Sequence, residues 1–543
     1  MYAAARAQLK ATWLKPGSVR ARLATGAVWS LSGAVLGQSF GLVTSMLTAR
    51  VLGKTHYGEL GMIRSTVEMF GIFAGIGLGL TATKYVAELR NKDAERTGRI
   101  ISLCLLSSSG GGAAGALLLA GLAPLVADSV LHAPQLRVSL AIASLLLAAN
   151  VVAGVQRAVL AGFEAFRETA VVTLVQSAAG LPLVVGGALG AGVNGAICGL
   201  LAPTAIVLAS GAGYGRKVCS ASHVRLRPVA ALAERAVLDN FSLPALLSTI
   251  LTGPATWWTN AMVARRPGGY AELGVFQAAN QWRSVFLFVP SVLGYVATPL
   301  MSSLWGEKDV KRTRRILLGA MLASGMVALP VLLLLLVFTD PVMAAYGSEF
   351  RGRGGVLRLT AVTGALVAVQ SPVGNFIAAS GRMWLGVLMN GGWAAVLLAT
   401  TWLLLARGWG ADGLALAYLI AYAVHSVWVM LFSSRQLRSS AWLGSGTQQG
   451  SLLFRNIPDL TDQALESRSG GTTTSLQGEA GKRTAVAGKR PSSVWSSSRG
   501  LLFPVTRSSA CSMSGARLGT RCALCTRDFR MLISLVSTSP GWL

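Results

Sequence analysis

The stretch ARVLGKTHYGELGMIRS at residues 49–65 decides the fold, because a related stretch, ARRPGGYAELGVFQAAN, occurs at residues 264–280. The similarity continues downstream, where TATKYVAELRNKDAERTGR at residues 81–99 resembles VATPLMSSLWGEKDVKRTRR at residues 296–315. The two segments follow each other in the same order in both places. Self-similarity on this scale indicates a tandem duplication, in which two homologous units follow each other along the chain.

A third pair of segments carries the repeat to the end of each unit. GAGVNGA begins at Gly190 and GWGADGL begins at Gly408, which follows it by 218 positions. Tyr270 follows Tyr57 by 213 positions, so only a few short insertions separate the copies. In membrane transporters, duplicated halves commonly face each other across a central cavity that binds the substrate. The duplication therefore points toward transport.

Composition places the duplication inside a membrane. The chain has 543 residues, of which 52% are hydrophobic and only 13% are charged, whereas about a quarter of the residues of a soluble domain are charged. Apolar runs long enough to cross a hydrocarbon core of about 30 Å as helices recur along much of the chain. The sequence predicts twelve spans, at residues 23–48, 59–83, 100–127, 138–160, 168–189, 194–213, 240–263, 273–300, 316–339, 356–379, 384–406 and 412–433.

The predicted fold is an all-α polytopic membrane protein with two six-helix bundles around a central cavity. Because each copy has an even number of spans, both bundles start on the same side of the membrane and the repeats are parallel. After residue 435 the chain is rich in Ser, Gly and Arg and lacks a further span, which predicts a disordered tail. The predicted segments are an N-terminal segment at 1–22, a first bundle at 23–215, a basic linker at 216–239, a second bundle at 240–435 and the tail at 436–543.

The net charge of +27 is concentrated in alternate loops. Roughly five Lys and Arg residues fall in each of four segments, as expected for loops on the cytoplasmic side: residues 6–22, 84–99, 216–235 and 308–315. Both termini are therefore expected to be cytoplasmic, in a multi-pass protein of the cell membrane. This distribution favours membrane topology over nucleic-acid binding. The first apolar run is long enough to remain as a span, so no cleavable signal peptide is predicted.

Three charged residues inside predicted spans are the candidate site. Arg64 and Glu68 lie four residues apart in the second span and share one helical face, and Arg283 lies in the eighth span, the repeat equivalent of the second. A charge at the centre of a bilayer costs about 2.5–3.5 kcal/mol and usually faces a cavity. We expect the guanidinium groups to bind an anion such as a diphosphate. The structural alternative is that Arg64 pairs with Glu68 or reaches the interface.

Weaker candidates surround these three residues. Gln277 and Asn280 precede Arg283 at spacings that keep them near its helical face, which predicts a place in the same cavity. Arg50 and Arg265 follow the first and seventh spans and are candidate anion contacts at the outer mouth, although interfacial anchoring is the commoner role for such residues. Glu68 is also the candidate for coupling to a proton or cation.

Enzymatic and metal-site motifs are missing from the sequence. It has no HExxH, GxSxG, P-loop or paired-aspartate motif. The six cysteines imply no disulfide framework. The pair Cys522 and Cys525 resembles half of a zinc site, but the tail offers only Cys511 as a third thiol and no histidine. We therefore expect no enzyme activity, no cofactor and no metal.

The segment LTARVLGKTHYGELGMIRS from Leu47, followed by a glycine-rich stretch and TATKYVAELRNKD, resembles polysaccharide biosynthesis proteins of the O-antigen flippase type. These belong to the multidrug, oligosaccharidyl-lipid and polysaccharide exporter superfamily. The resemblance covers roughly residues 18–435 and is carried mainly by the first hundred residues. It implies a V-shaped cavity that opens to either side in turn. It also implies transfer of a polyprenyl-diphosphate-linked oligosaccharide, for lipopolysaccharide or other surface polysaccharide, from the cytoplasmic to the outer leaflet, with Arg64 and Arg283 against the anionic head group.

Other functions remain open at this point. A cation-coupled multidrug exporter and a lipid II flippase belong to the same superfamily, and a membrane scaffold for glycosyltransferases would not transport at all. Two arginines and one glutamate in the candidate cavity favour an anionic substrate over a cationic drug. Expected partners are the lipid-linked oligosaccharide, membrane lipids and a polysaccharide polymerase or glycosyltransferases, with no nucleic acid.

Overall fold

The computed structural model describes residues 19–242, 246, 250–307, 309–380 and 383–453. This part of the chain is helical and contains no strand, and eight of its helices are long and apolar enough to cross a membrane. The predicted all-α membrane fold is therefore confirmed. The α-helices are α1 Val19–Gly75, α2 Leu78–Leu89, α3 Ala94–Leu125, α4 Leu136–Gly162, α5 Phe166–Ala221, α6 Thr252–Ala264, α7 Gly269–Asn280, α8 Arg283–Gly306, α9 Val310–Val337, α10 Thr339–Ala344, α11 Gly354–Ala379, α12 Met383–Ala406 and α13 Ala411–Leu453.

Two of the long helices contain backbone breaks that divide them into two predicted spans each. In α1 the break is at Gly53, whose φ of 70° suits glycine because it has no Cβ. In α5 the break lies at Ala191 and Gly192, with a φ of 57° at the glycine. In the second half, α6 covers the C-terminal part of the seventh span, α7 with α8 the eighth, and α9, α11, α12 and α13 the remaining four. Every predicted span thus has a helical counterpart.

The duplication is visible in matching helix caps. Asp93 precedes α3, and its side chain accepts a hydrogen bond from the backbone N–H of Arg96 at 2.8 Å. Asp309 precedes α9 and accepts from the backbone N–H of Arg312 at 3.0 Å. An aspartate at this position satisfies an N–H group that has no partner within the helix. The two helices therefore begin in the same way, 216 residues apart.

Each half forms its own bundle. In the first half, α1 packs against α5, and α4 packs against α2, α3 and α5. In the second half, α11 packs against α8, α9 and α13, and α12 packs against α13. The basic linker folds back on the first bundle, where Glu234 accepts hydrogen bonds at 3.1 Å from both Arg96 and Arg99. Two of the basic loops thus lie at the same end of that bundle.

The C-terminal segment differs from the expectation over its first part. The helix α13 continues to Leu453, whereas the sequence predicts disorder from residue 436. Ser lowers helix propensity only weakly and each Gly costs at most about 1 kcal/mol, whereas nucleation is the larger barrier, so a helix that is already nucleated by a membrane span can extend into such a sequence. Residues 1–18 and 454–543, including the rest of the predicted tail, lie outside the described residues.

The halves meet along α1, which contacts α6, α7 and α8. A Cβ added at Gly58 would clash with the carbonyl oxygen of Tyr270, and one at Gly274 would clash with that of Lys54. The backbones therefore cross in direct contact, as small residues permit between membrane helices. We call the end of the molecule that carries Gly53, Gly58 and Gly274 the crossing end.

Contacts between the halves continue down the second span. The indole N–H of Trp257 donates to Thr66 Oγ1 at 2.9 Å, and the Asn260 side chain donates to Ser65 Oγ at 3.0 Å. A Cβ at Gly253 would clash with the Ile72 side chain. Just beyond, Ile76 and Gly77 take positive φ angles and end α1. The halves are thus joined at the crossing end and along the second span, and α1 ends at a kink at Ile76 and Gly77.

Candidate functional site

A cavity of about 330 Å³ lies between the two halves. The sequence-predicted residues Arg64 and Glu68 line it from α1, Gln277 and Asn280 from α7, and Arg283 from α8. All five core candidates are thus brought to one site, although they come from segments more than 200 residues apart in the chain. The lining also includes Gln38, Tyr57, Ser65, Asn260, Gln281 and Tyr418.

Helix geometry explains how these side chains converge. Arg64 and Glu68 are one turn apart and face the same direction from α1. Asn280 ends α7 and Arg283 begins α8, so the site in the second half lies at a helix junction. A Cβ at Gly61 would clash with the Gln277 side chain, so this glycine lets the two halves approach closely there. The cavity therefore depends on the crossing of the repeated segments.

The charges in the cavity are not neutralised by ion pairs. Within the described part of the chain, neither Arg64 nor Arg283 has a carboxylate within the 4.0 Å limit of a salt bridge. Arg283 lies over the ring of Tyr418, with its guanidinium carbon 5.7 Å from the ring centroid. A cation over an aromatic face is attracted by the ring yet keeps its N–H groups available. The alternative in which Arg64 pairs with Glu68 is not seen.

A second cavity of about 370 Å³ lies mostly inside the first bundle. It shares Tyr57, Arg64 and Glu68 with the cavity between the halves, and Asn150 and Gln176 add amide groups to its wall. The side chains of Arg64 and Glu68 are exposed to these spaces. A polar region therefore extends from the interface of the halves into the first bundle, large enough together for more than a single phosphate.

Several polar residues of this region are not predicted from the sequence. Tyr57 lies in the repeated segment, but nothing in the pattern marks it as a wall of the cavity. Tyr418 gives no signal at all, because an aromatic residue in a span is most often packing. Arg157 is a further charge well inside a predicted span, and counting charges in the fourth span would have found it. Its side chain donates to Gln176 Oε1 at 3.2 Å, so it supports a residue of the second cavity.

Arg50 and Arg265 do not line either cavity. Arg50 Nε donates to the backbone oxygen of Ala345 at 2.7 Å, and Arg265 Nε donates to His132 Nδ1 at 3.4 Å. Each arginine thus bridges the halves at the crossing end, in equivalent positions of the repeat. Binding of an anion there stays a prediction.

No group of three or more His, Cys, Asp or Glu residues in the described ranges is arranged to hold a metal ion. The side chains of the cavity offer hydrogen-bonding and charged groups. Two guanidinium groups supply fork-shaped donors for a phosphate or diphosphate. The amides of Gln277 and Asn280 supply both donors and acceptors, as hydroxyl-rich ligands require.

The sequence and the fold both match known proteins. Residues 23–305 match the family model described as polysaccharide biosynthesis protein. A curated relative, the EPS I polysaccharide export inner membrane protein EpsE of Ralstonia nicotianae, is 28% identical over 204 residues. That match covers 37% of this chain and 45% of the relative, so less than half of the relative's length is spanned.

Solved structures share the fold at low sequence identity. An inward-facing multidrug resistance MATE family transporter of the MOP superfamily matches with a TM-score of 0.64 and 17% identity, over 76% of this chain and 99% of that one. A MOP superfamily transporter from Pyrococcus furiosus matches with a TM-score of 0.60 and 17% identity, over 77% and 96% of the two chains. The fold of this chain is therefore similar to the folds of these two proteins.

Proposed function

This chain belongs to the polysaccharide biosynthesis protein family, and from that premise we propose that it exports a lipid-linked glycan across the membrane. The substrate is an oligosaccharide joined through diphosphate to a polyprenol, moved from the cytoplasmic to the outer leaflet for surface polysaccharide assembly. The name of the Ralstonia relative, a polysaccharide export inner membrane protein, supports this choice of substrate class and of the inner membrane as location.

The observation that carries the proposal is the pair of guanidinium groups in the cavity. Arg64 and Arg283 come from equivalent spans of the two halves, and both face the cavity between them. Two forked donors on opposite walls suit the two phosphates of a diphosphate. Because each arginine belongs to a different half, a bound anion would attract the halves toward each other, and its affinity would depend on their separation.

The mechanism follows from the amphiphilic nature of the substrate. Sugar hydroxyls and phosphate charges are costly to bury in hydrocarbon, whereas the apolar polyprenyl chain is stable in the hydrocarbon of the bilayer. The head group therefore crosses through the polar cavities while the chain stays in lipid. The crossing end opens to release the head group and closes again, and no covalent bond changes.

Directionality requires a bias between the two open states, because a ligand shifts an equilibrium only through different affinities for its two states. Glu68 is the residue for coupling to a proton or cation, since it shares the cavity with both arginines. The loops of the crossing end carry fewer basic residues than the opposite loops, so this end faces away from the cytoplasm and both termini are cytoplasmic. Polymerases or glycosyltransferases would act on the same substrate on either side.

A multidrug exporter is the second candidate function. The exposed carboxylate of Glu68 in the cavity favours it, since a carboxylate attracts cationic drugs. A lipid II flippase differs from the main proposal only in the sugar, and a membrane scaffold would need no open charged cavity. Two arginines against one glutamate favour the anionic substrate.

The test is leaflet-resolved analysis of polyprenyl-diphosphate oligosaccharides in cells depleted of the protein. Depletion should accumulate the substrate on the cytoplasmic side, and the intact protein should relieve this accumulation. Arg283→Ala should not relieve it, although the variant protein is inserted at normal abundance. Arg407→Ala is the matched control, because Arg407 is exposed at a helix end outside the cavities. If depletion leaves the distribution of these oligosaccharides between the leaflets unchanged, the proposed function is wrong and drug export becomes the leading candidate.

A further inference from the structure

A third cavity, of about 510 Å³, continues from the polar site along α1 and α4. Its walls include Glu68, Gly71 and Gly75 of α1 and Asn150 and Gly154 of α4. The opposite wall includes Leu246 of the second half. We call this cavity the glycine groove. Its volume falls within the range of roughly 300–1,000 Å³ that is usual for ligand sites.

Polarity changes along the groove in the same order on both helices. On α1 the residues Arg64, Glu68, Gly71 and Gly75 recur every three or four positions, so they lie on one helical face. Both helices run away from the crossing end, since α1 passes Gly53 there before it reaches Gly75, and α4 begins just after Gln135, which donates to Glu59 at that end. On α4 the polar Asn150 is likewise followed one turn later by Gly154. The polar site therefore passes into an apolar groove as the distance from the crossing end increases.

The glycines place no side chains of their own in this groove. Among the described residues, none has an atom within 4 Å of a Cβ added at Gly71, Gly75 or Gly154. Close packing of helices, which explains Gly58 and Gly274, therefore does not explain these three. A glycine inside a helix costs roughly 0.5–1 kcal/mol relative to alanine, so the open space is maintained against local helix stability. The remaining walls are aliphatic and include Leu78, Leu147, Val151 and Val155.

We propose that the glycine groove holds the hydrocarbon chain of the lipid-linked substrate while its diphosphate lies in the cavity between the halves. This inference rests on the proposed function and adds a second subsite to it. The order of head group and chain in the substrate matches the order of charged, amide and glycine positions along the two helices. Both subsites share Glu68, so the two parts of one molecule can occupy them at once.

The physical role of the groove is to give the chain a path out of the polar cavity. A chain in the groove exchanges one apolar surrounding for another, so little affinity comes from hydrophobic transfer itself. If the groove were filled, the chain would have to lie among polar side chains or pull the head group from the arginines. The groove therefore affects only ligands that have both a diphosphate and a long chain.

The test uses the full-length protein in nanodiscs and two probes, a long-chain polyprenyl diphosphate and dimethylallyl diphosphate. The double variant Gly71→Leu/Gly154→Leu fills the groove, and leucine favours the helix over glycine. It should bind the long-chain probe about tenfold more weakly than the wild type, with unchanged affinity for dimethylallyl diphosphate. Alanine at the same positions should give a smaller loss. Gly121→Leu/Gly186→Leu is the matched control, because a Cβ at either position also meets no described residue within 4 Å and neither residue lines the groove.

The outcomes separate this inference from the proposed function. Arg283→Ala should weaken binding of both probes, whereas the groove variants should weaken only the long one. If the wild type binds both probes and groove filling changes neither, the groove assignment is overturned while the anionic site stands. If phosphatidylethanolamine competes with the long-chain probe as well as unlabelled probe does, the groove is a crevice for bulk lipid and the assignment fails. If the wild type binds neither probe, the proposed function fails first.

Discussion

The two copies of the Tyr-x-Glu-Leu-Gly segment cross each other, yet they hold their glutamates in different ways. Glu59 accepts hydrogen bonds from the His56 ring at 2.8 Å and from the Gln135 amide at 3.1 Å. Glu272, its equivalent, accepts from Arg353 Nη1 at 2.8 Å. Gln135 and Arg353 are themselves equivalent, since each immediately precedes the span that follows. A neutral amide in the first half is thus replaced by a guanidinium in the second.

The second copy is also tied to a further helix. The backbone N–H of Ala411 donates to Glu272 Oε2 at 2.8 Å, so the carboxylate caps α13. Asp412 lies 3.6 Å from the Arg353 guanidinium and extends the network. Both carboxylates accept hydrogen bonds, but only Glu272 has an always-charged guanidinium as donor, which adds an ion pair. Equivalent glutamates of the same ancestral segment are thus held by a guanidinium in the second half and by an amide and an imidazole in the first.

The largest expected effect comes from the feature that the copies share. Gly58→Ala and Gly274→Ala each place a Cβ against a backbone carbonyl of the other half, so either should force the crossing end apart. We expect a loss of about 3 kcal/mol of stability, the upper part of the usual range for overpacking. Thermal unfolding in detergent measures the loss. Labelling of a cysteine introduced at Gln277 with an impermeant reagent measures opening of the cavity.

The matched control for that prediction is Gly186→Ala, where the added Cβ meets no atom within 4 Å. It should leave both the unfolding temperature and the labelling unchanged. Wild-type behaviour of Gly58→Ala and Gly274→Ala would show that the helices do not cross in contact.

The next largest effect on stability should occur in the second copy of the segment only. Arg353→Ala removes the guanidinium from Glu272 and leaves a half-buried carboxylate without its strongest partner, which should cost about 2 kcal/mol. The midpoint of thermal unfolding measures it. Arg351→Ala is the control, since Arg351 is exposed two residues away and should have no effect. An equal loss in both variants would mean that net charge, and not the Glu272 contact, is responsible.

A pH titration should show the same asymmetry with a smaller effect. The hydrogen bonds from Arg353 hold the pKa of Glu272 below its ordinary value, and Glu272 lies just outside the predicted eighth span. A lowered carboxyl pKa contributes stability that is present above the unfolded value, about 4.3 for glutamate, and is lost as pH falls through the folded value. Unfolding midpoints between pH 6 and pH 3 should therefore fall more steeply for the wild type than for Glu272→Gln. Parallel pH curves for the wild type and Glu272→Gln would show that the ion pair between Arg353 and Glu272 does not contribute to stability.

The smallest effect is expected in the first copy. Gln135→Ala removes one hydrogen bond from an uncharged donor to Glu59, which keeps the contact with His56, and should cost about 1.5 kcal/mol. The unfolding midpoint should therefore fall by less than in Arg353→Ala. A larger fall than in Arg353→Ala would reverse the comparison between the halves.

Most of the fold follows from the sequence, because long apolar runs predict membrane helices. The repeat also indicates which spans of the first half are equivalent to which spans of the second. The convergence of Arg64 and Arg283 also follows, since equivalent spans of duplicated halves meet across the central axis. The contact between Gly58 and Tyr270 does not follow, because hydropathy carries no information about which face of a span meets another span. Tyr418 is missed for the same reason, as its place beside Arg283 depends on packing between α8 and α13.

The central claim is that the chain carries an anionic lipid-linked head group through the cavity between its halves. The most direct measurement is transfer of a fluorescent polyprenyl-diphosphate oligosaccharide between leaflets of vesicles that contain only the purified full-length protein. The account predicts rapid transfer by the wild type, retained transfer by Arg407→Ala, and transfer reduced to the protein-free rate by Arg283→Ala. Partial transfer by Arg283→Lys is also expected, because lysine keeps the charge but loses the fork. Equal transfer by the wild type and Arg283→Ala would contradict the claim.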